Sequence, residues 1–280
     1  MLGSPIAHSL SPVLHAAGYA ALGLSDWSYG RHEVRAEGLP DFLAGLDADW
    51  RGLSLTMPLK EACLELAAEV TPLAARARAG NTLVRREDGR WLADNTDIPG
   101  MADALRPVWD AAWRRVAVLG AGATARSALL ALTDLGVTAI DVYARDLGKA
   151  SALEAWAPPG VEITPLPLAE WPAGEQPVVV STLPAGALDD VALPSPRLGL
   201  VFDVVYAGWP TPLARSAEAA GMAVVGGLDL LVHQAARQFT LFTGRGAPLD
   251  AMFAAGREAV GGGSGATREQ PGSPAPEESA

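Results

Sequence analysis

The stretch Arg115–Arg126, RVAVLGAGATAR, decides how the rest of the chain is read. Val116, Ala117, Val118 and Leu119 form a short apolar run of the kind that becomes a strand buried on both faces. Gly120-Ala121-Gly122-Ala123-Thr124-Ala125 follows at once, and Ser127 to Leu132 then carries a helical pattern. Strand, glycine turn and helix in succession are the context that a G-x-G-x-x-G/A match needs. Gly120 permits the tight turn, Gly122 lets the backbone approach a pyrophosphate, and Ala125 is small enough for close packing of helix on strand. The free N–H groups at the helix start would hold the anion. A dinucleotide site is the stronger reading; an ordinary glycine-rich turn without a ligand is the alternative.

Downstream, Val137–Tyr143, Val161–Thr164, Pro177–Thr182, Leu198–Val205 and Met222–Val225 read as strands, separated by helical segments over Ala150–Trp156 and Thr211–Ala220. This alternation predicts a mostly parallel sheet covered on both faces. The segment Ala144-Arg145-Asp146 ends the second strand, roughly 20 residues past the glycines, where the ribose 2′ group is read. An acidic residue at its head would select NAD. Ala144 and then Arg145, with Lys149 one turn on, suit the 2′-phosphate of NADP. Asp146 is the contrary feature, because its carboxylate lies close to the same phosphate.

Upstream, Ser9-Leu10-Ser11-Pro12 precedes a helical run from Val13 to Leu22, with Ser11 placed as N-cap and Pro12 at the first helical position. Hydroxyls and free N–H groups there favour a carboxylate, although capping alone would account for both serines. Trp27–Val34 and Gly52–Thr56 read as strands, and Leu39–Leu46 as a short helix. Lys60 falls at a strand-to-helix junction beside Pro58. Most lysines are solvated, but one at the carboxyl end of a strand can face a ligand crevice. Thr71-Pro72 is read as the end of the helix that carries Lys60. A hairpin over Gly80–Ala93 has Asn81-Thr82 at one end and Asn95-Thr96-Asp97 at the other, groups that ordinary turn chemistry would also place there. Helices follow over Leu228–Phe242, with His233 and Gln234, and over Pro248–Val260.

The 280 residues, 49% of them hydrophobic, are enough for two cores. A net charge of −11 argues against a nucleic-acid partner, since nothing would neutralise phosphates over a broad surface. No apolar run approaches the ~18 residues of a membrane span, and no secretory signal opens the chain. The single cysteine, Cys63, sits in an apolar helical pattern as a core residue and fits a cytoplasmic protein. His8, His15, His32 and His233 show no paired ligand spacing, so no metal is expected.

These motifs, taken together, resemble the shikimate dehydrogenase family across residues 1 to about 258. The similarity lies in seven ordered blocks: Gly3 to Pro12; Leu55 to Lys60; Gly80 to Leu83; Asp94 to Asp97; Gly120 to Arg126; Asp203 to Tyr206 with Thr211-Pro212-Leu213; and Gly227 to Ala235. The resemblance implies NADPH-dependent reduction of 3-dehydroshikimate to shikimate on a two-domain α/β fold. A substrate-binding domain would span 1–97 and be completed by helices over 229–260. A Rossmann-type domain would span 98–228, and 261–280 would be a disordered tail, being Gly, Ser, Pro and Glu with almost nothing apolar. By the same resemblance Lys60 and Asp97 match the catalytic pair. Ser9 and Ser11 would hold the substrate carboxylate with Tyr206 nearby, and Thr56, Asn81 and Gln234 the ring hydroxyls. Gly120, Ala121, Gly122, Ala123, Thr124 and Ala125 would cradle NADP, with Thr182 and Val204 beside it. Gly227 would lie against the nicotinamide, and Arg145 and Lys149 on the 2′-phosphate. The resemblance implies a small-molecule partner and a monomer or homodimer.

Three departures qualify the match. Ser54 stands where the family usually has an asparagine touching the substrate, so one ring contact should be shortened or water-mediated. Ala144 and Asp146 replace the residues that usually flank the arginine. Most of the family's first strand is missing ahead of Gly3, as in a shortened beginning. A quinate/shikimate or aminoshikimate dehydrogenase using NAD is the alternative within this chemistry. A nucleotide-binding regulator without catalysis is disfavoured by Lys60, Asp97 and Gln234 occurring together.

Overall fold

A computed structural model describes residues 1–171, 176–188 and 199–262. The first part of the chain runs β1 (Leu2–Gly3), α1 (Ser11–Ala21), β2 (His32–Glu33), α2 (Leu39–Ala44), β3 (Gly52–Ser54), α3 (Leu59–Leu66), β4 (Glu69–Val70), α4 (Pro72–Ala77), β5 (Thr82–Arg85), β6 (Trp91–Asp94) and α5 (Asp97–Leu105). It continues through β7 (Arg115–Leu119), α6 (Ala123–Asp134), β8 (Ala139–Ala144), α7 (Leu147–Ala152), β9 (Glu162–Pro167), β10 (Val178–Ser181), β11 (Leu200–Asp203), α8 (Pro212–Ala219), β12 (Ala223–Gly226), α9 (Gly227–Thr243) and α10 (Leu249–Gly262).

Strands β7 to β12 form one all-parallel sheet in the order β12-β11-β10-β7-β8-β9. Its alternation is visible along β7: Val116 and Val118 face one core, Ala117 and Leu119 the other. A strand buried on both faces needs an unbroken apolar run, which is why this segment carries no polar residue between Val116 and Leu119. The strand order reverses between β7 and β10, so a crevice opens beyond their carboxyl ends, the usual ligand position in doubly wound sheets. Gly120 and Thr182 both stand there, each one residue past its strand.

The second sheet has the order β3-β5-β6-β4, with β3-β5-β6 antiparallel and β4 parallel to β6. The short parallel pair β1-β2 lies beside it, joined by a bridge between Leu2 and Leu55. Leu2, Leu53, Leu55, Leu59, Cys63 and Leu83 are buried together under it. Burial pushes the Cys63 thiol up to about 11, so it is a packed core thiol and not a nucleophile at neutral pH. The chain returns to this region at its end. Val232 and Ala235 of α9 and Met252 of α10 pack on Leu14 of α1, and α9 crosses α5 so closely that a Cβ on Gly100 would lie 2.8 Å from the Gln234 nitrogen. No helix among the described residues is long and apolar enough to cross a membrane.

Four sequence expectations are corrected. Only His32–Glu33 of the expected Trp27–Val34 strand is paired, because its partner β1 offers two residues and the preceding aromatics turn inward. Tyr29 stacks on His15 at 4.0 Å between ring centroids. Ser11 is not the N-cap of α1: Leu10 is, already helical at φ −86°, and Ser11 is the first helical residue, its N–H donating to Ser9 Oγ at 3.3 Å. Thr71-Pro72 opens a helix instead of closing one, with Thr71 Oγ1 accepting the Ala74 N–H at 3.2 Å. Helix α10 extends through Gly262, so the expected tail loses its first two residues; the rest of it, 263–280, and Leu198 of one expected strand lie outside the described residues.

His15, fully buried beside Tyr29 and Phe242, has its pKa lowered to about 3, chiefly by burial and then by the positive amino terminus. A histidine held neutral in the fold contributes stability that is complete above its unfolded pKa and is lost as pH falls toward the folded value. Between pH 7 and pH 5 this one residue should cost roughly 2 kcal/mol of folding free energy. Urea unfolding at both pH values is expected to show a smaller decline for His15→Phe than for wild type; equal declines would contradict the assignment.

Candidate active site

Two helix starts bring an ammonium and a carboxylate together. Lys60 is the second residue of α3, and Asp97 the first of α5, where a carboxylate is favoured by the helix dipole. The turn leading to Asp97 is held rigidly. Asp94 Oδ1 accepts from the Asn95 N–H at 2.8 Å and from Thr71 Oγ1 at 2.6 Å. Asn95 Oδ1 in turn accepts the Ile98 N–H at 3.2 Å, and its Nδ2 donates to the Ala79 carbonyl at 2.9 Å. The result is an ion pair, Lys60 Nζ to Asp97 Oδ2 at 2.7 Å, with side chains 20% and 14% exposed. It is open enough for a ligand to reach and enclosed enough to escape most screening.

Asn81, just before β5, is the hub behind that pair. Its Nδ2 lies 2.8 Å from Asp97 Oδ1, 2.9 Å from Thr96 Oγ1 and 3.4 Å from Gln234 Oε1. Its Oδ1 accepts from the Thr96 N–H and from Thr82 Oγ1, both at 2.8 Å. These bonds fix which end of the amide faces the carboxylate. Behind Asn81 a second buried layer continues. Gln238 donates to the Asn81 carbonyl at 3.2 Å and to Thr82 Oγ1 at 3.1 Å, and accepts from Ser54 Oγ at 2.7 Å. Ser54 accepts from the Tyr29 hydroxyl at 2.6 Å. Tyr29 and Gln238 escaped the sequence reading. Gln238 was within reach of it, lying four residues from Gln234 on the same helix face.

The expected nucleotide residues gather at the switch point. Gly120 has φ +104°, a conformation that favours glycine, and a Cβ there would lie 2.5 Å from Thr182 Oγ1, which donates to the Leu119 carbonyl at 2.9 Å. Ala125 is fully buried under the turn, whereas Ala121, Ala123 and Thr124 are half-buried. Gly122 caps α6 without any side-chain hydrogen bond, and a Cβ added to it would meet nothing within 4 Å. Open space before unpaired helical N–H groups fits a pyrophosphate. At the far side Gly227 opens α9 so close to Val204 that a Cβ would lie 2.1 Å from the Val204 carbonyl oxygen.

Arg145 and Lys149 are exposed beyond β8. Asp146 is engaged as the N-cap of α7, its Oδ1 accepting the Lys149 N–H at 3.1 Å. Ser9 and Ser11 bond each other at 3.3 Å, and the Arg31 guanidinium donates to the carbonyls of Ala7 and Ser9, fixing that loop. Thr56 lies in the turn into α3, its carbonyl accepting the Leu59 N–H at 2.8 Å. Tyr206 is half-buried after β11, its phenol raised above the usual range by burial. Among the described residues no hydrogen bond ties Tyr206, Arg145 or Lys149 to the Lys60 cluster.

Comparison with known proteins bears on this geometry. Residues 1–83 match the family model described as shikimate dehydrogenase substrate binding domain, and residues 227–255 the one described as shikimate 5′-dehydrogenase C-terminal domain. A protein named shikimate dehydrogenase (NADP(+)) from Methylobacterium radiotolerans is 38% identical over 259 residues, covering 87% of this chain and 90% of the relative. The solved shikimate dehydrogenase of Mycobacterium tuberculosis superposes with a TM-score of 0.82 at 43% identity, covering 91% of this chain and 97% of that one. The Thermus thermophilus enzyme, solved in complex with NADP(H) and shikimate, gives a TM-score of 0.81 at 36% identity over 92% of this chain and 98% of its own. The paired lysine and aspartate, the glycine turn at the switch point and these likenesses over nearly the whole chain place the protein in the shikimate dehydrogenase family.

Proposed function

We propose that the protein catalyses the reversible NADPH-dependent reduction of 3-dehydroshikimate to shikimate, with Lys60 and Asp97 as the reacting pair. The Lys60–Asp97 ion pair, 2.7 Å long with both side chains partly exposed, is the observation that carries this reading. NADPH, when bound at the glycine turn, supplies the hydride. As negative charge builds on the ketone oxygen, the Lys60 ammonium stabilises it and delivers a proton from Nζ. Asp97 Oδ2 keeps that ammonium charged and aimed, while Asn81 holds Oδ1 so that the carboxylate cannot rotate away.

The remaining roles follow from donor inventories. Ser9 and Ser11 at the start of α1 supply hydroxyls and helix N–H groups to the substrate carboxylate, with Tyr206 closing that end. Thr56, Asn81 and Gln234 meet the ring hydroxyls; a ligand lacking one would leave a buried polar group unpaired, which gives steep discrimination. Ser54 has already donated its proton to Gln238, so it can offer a ring hydroxyl only an accepting lone pair. Residues 1–97 with helices over 229–260 serve as the substrate-binding unit, and 98–228 as the cofactor unit. This division follows the two sheets and the two family-model matches. Arg145 and Lys149 read the 2′-phosphate, supported by the exposure of Arg145 and by the engagement of Asp146 in capping α7. A buried free thiol, Cys63, is in keeping with a reducing, cytoplasmic setting.

Lys60→Ala is expected to lower kcat by about 10²–10⁴-fold while KM for shikimate stays within a few-fold, measured by NADP⁺ reduction; near-normal kcat would remove the lysine from the mechanism. Arg145→Ala is expected to raise KM for NADPH about ten-fold and to leave KM for NADH almost unchanged, because only NADPH presents the 2′-phosphate. Equal effects on the two cofactors would contradict that contact.

A further inference from the structure

Among the ion pairs that join the two halves, one reaches the helix that carries Lys60. Arg126, in the first turns of α6 after the glycine turn, donates from Nη2 to Glu61 Oε1 on α3. Glu61 is the neighbour of Lys60, so whatever fixes the Glu61 backbone fixes the lysine as well. The Arg126 side chain is only 16% exposed, and its Nε is buried without a partner. The guanidinium is therefore held by Glu61 and by the face of Trp156, whose ring centroid lies 5.0 Å from Arg126 Cζ.

Trp156 ends the 3₁₀ turn between α7 and β9, beside the sheet that carries the glycine turn, and it meets a second guanidinium from the other half. Arg78 Cζ also lies 5.0 Å from its centroid. Arg78 is the one non-glycine residue among the described residues with positive φ, 43°, at the end of α4. A left-handed arginine persists only where its surroundings hold it, and the contact with Trp156 is such a hold.

We propose that Arg126 is a positioning residue: its pairing with Glu61 locks the helix after the glycine turn to the helix that carries Lys60, and so sets where the ammonium stands relative to the nucleotide site. This rests on the function proposed above. The Glu61 end is 66% exposed, so the pair adds little to global stability. Its effect lies in registry. Reacting atoms must approach to roughly 3–3.5 Å, and a misplacement of about 1 Å from remote substitutions is enough to slow chemistry severely.

Steady-state kinetics of Glu61→Gln, Arg126→Met and the double variant test the coupling. Each single change is expected to lower kcat about five-fold, with KM for shikimate and NADP⁺ within about two-fold of wild type. The double variant is expected to be no slower than the slower single, because both remove the same link. In the ligand-free protein, amide hydrogen exchange along α3 is expected to quicken in both singles while the thermal midpoint holds. Unchanged kcat in either single, multiplicative losses in the double, or a rise confined to the KM for NADP⁺ would overturn the proposal. A lowered thermal midpoint with normal kcat, the mark of a merely structural role, would overturn it too. Lys60→Ala run alongside separates the two ideas: if it stays active, the functional assignment itself fails.

Discussion

An ammonium and a carboxylate 2.7 Å apart, each mostly withdrawn from water, cannot stand alone. Every unmet hydrogen bond of such a pair costs free energy, so the surrounding chain must supply partners. Asn81 does this for Asp97, Thr96 and Thr82 do it for Asn81, and Gln238 does it for Thr82. The chain of obligations draws α3, β5, α5 and α9 to one point. It explains why a helix from the end of the sequence must return to pack beside the sheet of β3, β5, β6 and β4.

The parallel sheet has the opposite economy. Its central strands are mostly apolar on both faces; the expected nucleotide groups stand at the ends where β7 and β10 diverge, and the buried Asp141 of β8 is paired with Arg115 of β7. The glycine turn can approach Thr182 and leave Gly122 open because small residues stand wherever the backbone must come close. The two halves are thus built differently: a preorganised polar cluster on one side, and an accommodating backbone cradle on the other. Reduction of a ketone needs both, one to bind the hydride donor and one to meet the charge that develops on oxygen.

Much of this was legible in the chain itself. The parallel sheet, the hairpin between Asn81 and Asp97 and the glycine turn all follow from local pattern, and the structure places them as expected. Other features were hidden for identifiable reasons. Tyr29 reads as a strand residue from its neighbours, but β1 can pair with only two residues, and the aromatics fold in against His15. Thr71-Pro72 is ambiguous between a helix end and a helix start; only the Ala74 N–H bond to the threonine decides it. Asp146, read as adverse to a 2′-phosphate, is also the cap of α7, a role its flanking sequence does not announce. The link from Arg126 to Glu61 spans 65 residues and leaves no periodic signal.

The most direct measurement is a crystal structure of the protein with shikimate and NADP⁺ bound together. Lys60 Nζ is expected within about 3.2 Å of the hydroxyl oxygen that is oxidised, still paired with Asp97, and the nicotinamide beside Gly227. A substrate seated elsewhere, or a lysine turned away from the reacting oxygen with its pair to Asp97 intact, would contradict that arrangement.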